Sequence, residues 1–125
     1  MKPIIVGGVT IDCIDPKTLS DFYIKMLGWE KTFEDESFIC ISTSYCNVRI
    51  GFQRNLEYIP PVWPEKQGAQ QQMVHLDFKA KDKDEMMSMV QHAINCGAKK
   101  AKAQFSDLWT VMIDPAGHPF CFDTL

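Results

Sequence analysis

His75 and Asp77 stand two residues apart in Val74-His75-Leu76-Asp77-Phe78-Lys79-Ala80, where apolar and polar residues alternate as in a half-buried strand. That period puts His75, Asp77 and Lys79 on one face and Leu76, Phe78 and Ala80 on the other. An imidazole beside a carboxylate can move protons or ligate a metal ion. Val9–Asp15 alternates in the same way, so Thr10, Asp12 and Ile14 share a face with Gly8 while Val9, Ile11 and Cys13 turn to the core. Asp12 is thereby a second candidate carboxylate. Trp63, Trp109, Tyr45 and Phe52 can wall a planar ligand, and Arg49 and Arg54 can offer a guanidinium fork to an anionic one. Plainer roles stand beside these: a hydrogen-bonded His75, aspartates that bond strand-edge backbone or meet Arg49 and Lys79, and solvated arginines. His92 falls among polar helical residues and is expected to be exposed, and His118 follows a turn glycine, where it would cap a hairpin.

The elements that must hold these residues come in two similar sets. After the first alternating segment, Pro16, Lys17 and Thr18 open a helix with apolar residues at Leu19, Phe22, Tyr23, Met26 and Leu27, and Gly28 ends it. After the second, Asp82 begins a turn, Met86, Met89, Val90, Ala93 and Ile94 form the same stripe, and Gly97 ends it. The predicted helices run over Lys17–Leu27 and Asp84–Cys96. Three β-type segments follow each, Glu30–Phe33, Phe38–Ser42 and Asn47–Gln53, then Lys99–Gln104, Leu108–Ile113 and Pro119–Asp123. Asp114-Pro115-Ala116-Gly117 supplies the turn of the last hairpin. The pattern is βαβββ twice, which predicts unit one over residues 1–53, a proline-rich linker or flap over 54–72, and unit two over 73–125.

With 125 residues, 46% hydrophobic and 23% charged, the chain suits one compact α+β unit rather than a disordered segment. The net charge of −3 gives no reason to approach phosphate backbones, and no apolar run is long enough to span a bilayer. Neither nucleic acid nor membrane is an expected partner, and a cytoplasmic location is expected. The five cysteines are odd in number, scattered and without a C-x-x-C pair, so reduced and mostly buried thiols are expected.

The first strand "VTIDCIDP", the helix end "FYIKMLGW", the second opening "HLDF" and the terminal "DPAGHPFCF" hairpin lie in a duplicated frame covering nearly the whole chain. In this the sequence resembles the glyoxalase / bleomycin-resistance / dioxygenase superfamily, also called vicinal oxygen chelate proteins. The linker and the strand after it resemble a glyoxalase-like subgroup of unassigned activity. The resemblance implies curved sheets around a cleft between the units, and commonly a homodimer.

In metal-dependent members each unit offers a ligand from its first strand and another from its last. The matching positions here are His75 and Cys121 in unit two, and Gly8 and a residue near Gln53 in unit one. Glycine donates nothing and cysteine stands where glutamate is common, so no intact family metal site and no cofactor are expected. His75 and Cys121 remain weak metal candidates, able to take zinc with Asp77 or Asp12 assisting. The reading that results is a protein binding a small organic molecule, aromatic or anionic, in the cleft. Its expected ligand contacts are Trp63, Trp109, Arg49, Gln53, Tyr45 and Cys121, with His75 and Asp77 orienting. The alternative is a lyase or isomerase, dependent on a divalent metal or on acid–base work by His75, Asp77 and Asp12. A regulatory or protein-interaction domain is a third class.

Overall fold

The computed structural model describes residues 1–125. Two units are formed, Met1–Tyr58 and Ile59–Leu125, so the proline-rich segment after Tyr58 packs with unit two. Unit one consists of β1 (Gly8–Cys13), α1 (Pro16–Leu27), β2 (Glu30–Glu34), β3 (Phe38–Ser42) and β4 (Arg49–Arg54). Unit two repeats the order with β5 (Leu76–Lys79), α2 (Lys83–Cys96), β6 (Lys99–Lys100), β7 (Trp109–Ile113) and β8 (Pro119–Asp123). Each unit has a four-stranded mixed sheet, ordered β1-β4-β3-β2 and β5-β8-β7-β6. The first strand lies parallel to the last, and the other pairs are antiparallel. The fold is α+β, a tandem of βαβββ units, as the repeat in the sequence requires.

Local chemistry explains the helix ends. Asp15 accepts from the Lys17 amide at 3.1 Å and from the Thr18 hydroxyl at 2.6 Å, Pro16 pre-sets the first turn, and Gly28 closes α1 at φ 72°. Asp82 accepts from the Glu85 amide at 2.9 Å, and Gly97 closes α2 at φ 123°. Each helix begins one residue before its predicted start, at the position where the capping aspartate hands over. α1 buries Leu19, Phe22, Tyr23 and Met26 over β3 and β4, whose Ile39, Ile41, Ile50 and Phe52 are also buried. Tyr23 stacks on Phe52 with ring centroids 5.4 Å apart. In unit two, Phe120 meets Phe78 and Phe122 edge-on at 5.9 Å and 5.6 Å. Large aromatic areas of this kind dominate what burial contributes, at about 1.5–3 kcal/mol for each fully buried side chain.

Two predicted strands are shorter than their sequence pattern by more than one residue. β5 starts at Leu76 rather than Val74, and only Lys99–Lys100 of the predicted Lys99–Gln104 segment is strand. The second truncation has a visible cause. The Gln104 amide donates to the carbonyls of Ala101 and Val111, both at 2.8 Å, and its oxygen accepts from the Val111 amide at 2.8 Å. One side chain thus takes over hydrogen bonds that a longer β6 would make, and the backbone departs from the sheet.

Candidate functional site

Alternation along three neighbouring strands builds one face of the unit-two sheet. β5 is preceded by His75 and carries Asp77; β8 carries Pro119, Cys121 and Asp123; β7 carries Trp109 and Val111. The register sets Asp77 opposite Cys121, Cys121 opposite Val111, and Asp123 opposite Trp109. Phe120, Phe122 and Met112 alternate with these and are buried. These face residues, with Trp63 and Gln72 from the proline-rich segment, line a cavity of about 320 Å³. Trp63, Trp109 and Ile113 pack against a small core of Ala101, Val111 and Cys121. The Trp63 indole N–H donates to the Ala103 carbonyl at 3.3 Å, and its ring meets Phe105 edge-on at 5.8 Å. That indole is therefore fixed, and carbon is what it offers to a ligand.

The polar end is compact. His75 Nε2 lies 3.1 Å from Asp77 Oδ1, with both side chains partly exposed. The ligating atoms of His75, Asp77 and Cys121 all lie within 4.8 Å of one another. Burial pushes the Cys121 thiol up from an ordinary 9.0 to about 12, assisted by the charge of Asp77, a hydrogen bond to it, and the charge of Asp123. Cys121 is consequently a neutral thiol at physiological pH rather than a nucleophile. Gln72 contributes a buried side-chain oxygen that has no hydrogen-bond partner.

The structure thus brings Trp63, Trp109, His75, Asp77 and Cys121 to one cavity. Arg49, Gln53, Tyr45 and Asp12, expected to share a ligand-facing surface with them, do not line it. Local partners in unit one engage three of these. Arg49 donates through a guanidinium nitrogen to the Gly7 carbonyl at 3.2 Å, and Asp12 accepts from Gln53 at 3.3 Å and from Asn55 at 3.1 Å. Tyr45 is 96% exposed on the loop before β4. His92 is exposed as expected, and the His118 backbone closes the last hairpin on Asp114. Of the cysteines, Cys13, Cys40 and Cys121 are buried and Cys46 is exposed. Gln72 and Asp123 also line the cavity, without being candidates on sequence alone. Asp123 was legible, two residues beyond Cys121 on the same face, whereas nothing in the run Gln70-Gln71-Gln72 marks which glutamine turns inward.

Register also corrects one assignment in unit one. Asp15 and Asp82 are equivalent caps, which aligns Thr10 with Asp77; Thr10 pairs with Gly51 as Asp77 pairs with Cys121. The unit-one match to Cys121 is therefore Gly51, two residues before Gln53. Two of the four positions to which the superfamily resemblance assigns metal ligands hold glycine. The set left in unit two, imidazole, carboxylate and thiol, departs from the oxygen-rich surroundings of Mg²⁺ or Mn²⁺ and is of the borderline kind that suits Zn²⁺.

No helix of the chain is long and apolar enough to cross a membrane. Comparison with solved structures agrees with the fold. A glyoxalase/bleomycin resistance protein/dioxygenase family enzyme from Burkholderia phytofirmans superposes with a TM-score of 0.71 at 22% identity, over 94% of this chain and 96% of that one. A glyoxalase family protein from Enterococcus faecalis gives 0.70 at 18% identity, over 95% and 96% of the two chains. A lactoylglutathione lyase from Agrobacterium tumefaciens gives 0.68 at 12%, over 99% and 96%. No curated protein matches. Residues 8–122 match the family described as the glyoxalase-like domain, and the chain belongs to that family.

Proposed function

We propose that the protein binds a small, partly aromatic organic molecule in the cavity of unit two, without a metal ion of the Mg²⁺, Mn²⁺, Ni²⁺ or Fe²⁺ type. The observation that carries this reading is the meeting of two tryptophans with a His75–Asp77 pair around about 320 Å³. Apolar walls supply most of the affinity for such a ligand, and a few converging polar groups fix its orientation. Trp63 and Trp109 form the walls, His75 and Asp77 orient, and Cys121 serves as neutral floor. Trp109→Ala should weaken binding of a planar ligand by about 1–3 kcal/mol, read by calorimetry. An unchanged affinity would remove Trp109 from the site.

A second reading, a lyase or isomerase, is favoured by the three-donor cluster of His75, Asp77 and Cys121. Metal analysis of the purified protein, with calorimetric titration of Mn²⁺, Ni²⁺ and Zn²⁺, separates the two. One tightly bound octahedral ion per chain would overturn the first reading. A homodimer in the cytoplasm completes the proposal. β1 ends its sheet, and the residues leading into it, Ile4 and Ile5, are 88% and 81% exposed, an apolar edge that a second copy would cover. Sedimentation at micromolar concentration should show a dimer, and a monomer alone would contradict it.

A further inference from the structure

Every ionisable side chain on the cavity wall other than His75 and Cys121 is a carboxylate, Asp77 or Asp123, and neither lysine nor arginine lines it. Lys79 continues the same face of β5 but is exposed and lies outside the lining. Gln72 adds a side-chain oxygen, an acceptor that is buried and without a donor. A buried acceptor left without a partner costs about 1–3 kcal/mol, which a ligand N–H would relieve. His75 offsets Asp77 only when protonated. Trp63 and Trp109 add indole rings, whose negative faces attract cations.

We infer that this cavity selects organic cations, an ammonium or amidinium group attached to a flat apolar body, and rejects carboxylates and phosphates. The inference rests on the proposed function and narrows its ligand class, moving away from the anionic ligand that Arg49 and Arg54 suggested in the sequence. Asp77 and Asp123 would meet the cationic head, Gln72 would accept one of its N–H groups, and the tryptophans would flank the apolar body. His75 acts here as a positioning residue, holding Asp77.

Three probes of one shape test it: 2-naphthylmethylamine, 2-naphthylmethanol and 2-naphthylacetate, titrated calorimetrically into the full chain at low and high salt. The amine should bind about tenfold or more tighter than the acetate at low salt, and added salt should narrow the gap. In the isosteric Asp77→Asn/Asp123→Asn variant the preference for the amine over the acetate should be lost, and a preference that survives in that variant would overturn the roles of Asp77 and Asp123. Equal binding of the three probes would overturn the cation preference and leave the proposed function standing. Tighter binding of the acetate would overturn it as well. Failure of all three to bind at roughly millimolar concentration would overturn both.

Discussion

Units one and two follow the same chain path, cap their first helices with the same residue type, and use the same register between first and last strands, yet they fill the equivalent sheet face in opposite ways. In unit two that face carries His75, Asp77, Cys121 and Trp109 around open space. In unit one the equivalent positions are Gly8, Thr10, Gly51 and Phe38. A Cβ at Gly51 would stand 2.6 Å from the Phe38 ring and 2.9 Å from the Thr10 hydroxyl, and one at Gly8 would stand 2.7 Å from Arg49 Cγ. The glycines are there because neighbouring side chains occupy the volume. The open face with an imidazole, a carboxylate and two indoles belongs to one repeat, while the other fills the equivalent volume with Phe38 and the Arg49 stem.

Substitutions that make one unit imitate the other test this difference. Gly51→Cys, which gives unit one the residue of unit two, should lower stability by about 1–3 kcal/mol through overpacking, measured by denaturant unfolding. The reverse kind of change, Cys121→Ala, removes a sulfur beside open space and should cost only about 0.5–1 kcal/mol. A Gly51→Cys variant as stable as the parent would show that Phe38 yields easily and that the closed face is not closed.

A smaller effect separates the cysteines. Cys121, with its thiol held near 12, should resist alkylation at neutral pH while exposed Cys46 reacts. The neutral thiol is favoured in the folded chain, so its contribution to stability is complete below about 9.0 and is lost as pH rises from there towards about 12. Asp77→Asn removes one source of the upward shift and should speed Cys121 labelling at alkaline pH, followed by mass spectrometry of peptides. Fast labelling of Cys121 in the parent protein at neutral pH would contradict the burial and charge assigned to it.

The repeat, the helices and their caps, and the alternating faces were legible because they follow from local periods and from aspartate and glycine at chain turns. So was the pairing of His75 with Asp77, a two-residue spacing on a strand. Register between distant strands was not legible, since a slip of two residues keeps every side chain on its face. Gln53 and Gly51 could thus be exchanged without breaking any pattern. The end of β6 was hidden for a related reason: Gln104 competes with the backbone for Val111, and nothing in Lys99–Gln104 marks a side chain that will replace a strand. Arg49 suggested an anion site by its type alone, and it is the Gly7 carbonyl that holds it.

Whether a ligand seats in unit two is read from the three indole N–H resonances during titration with 2-naphthylmethylamine in ¹⁵N-labelled protein. Trp63 and Trp109 line the cavity and should shift together along one saturable curve, while Trp29, after the Gly28 cap of α1 in unit one, should stay in place. Saturable movement of Trp29 with Trp63 and Trp109 unmoved would place the ligand outside the unit-two cavity.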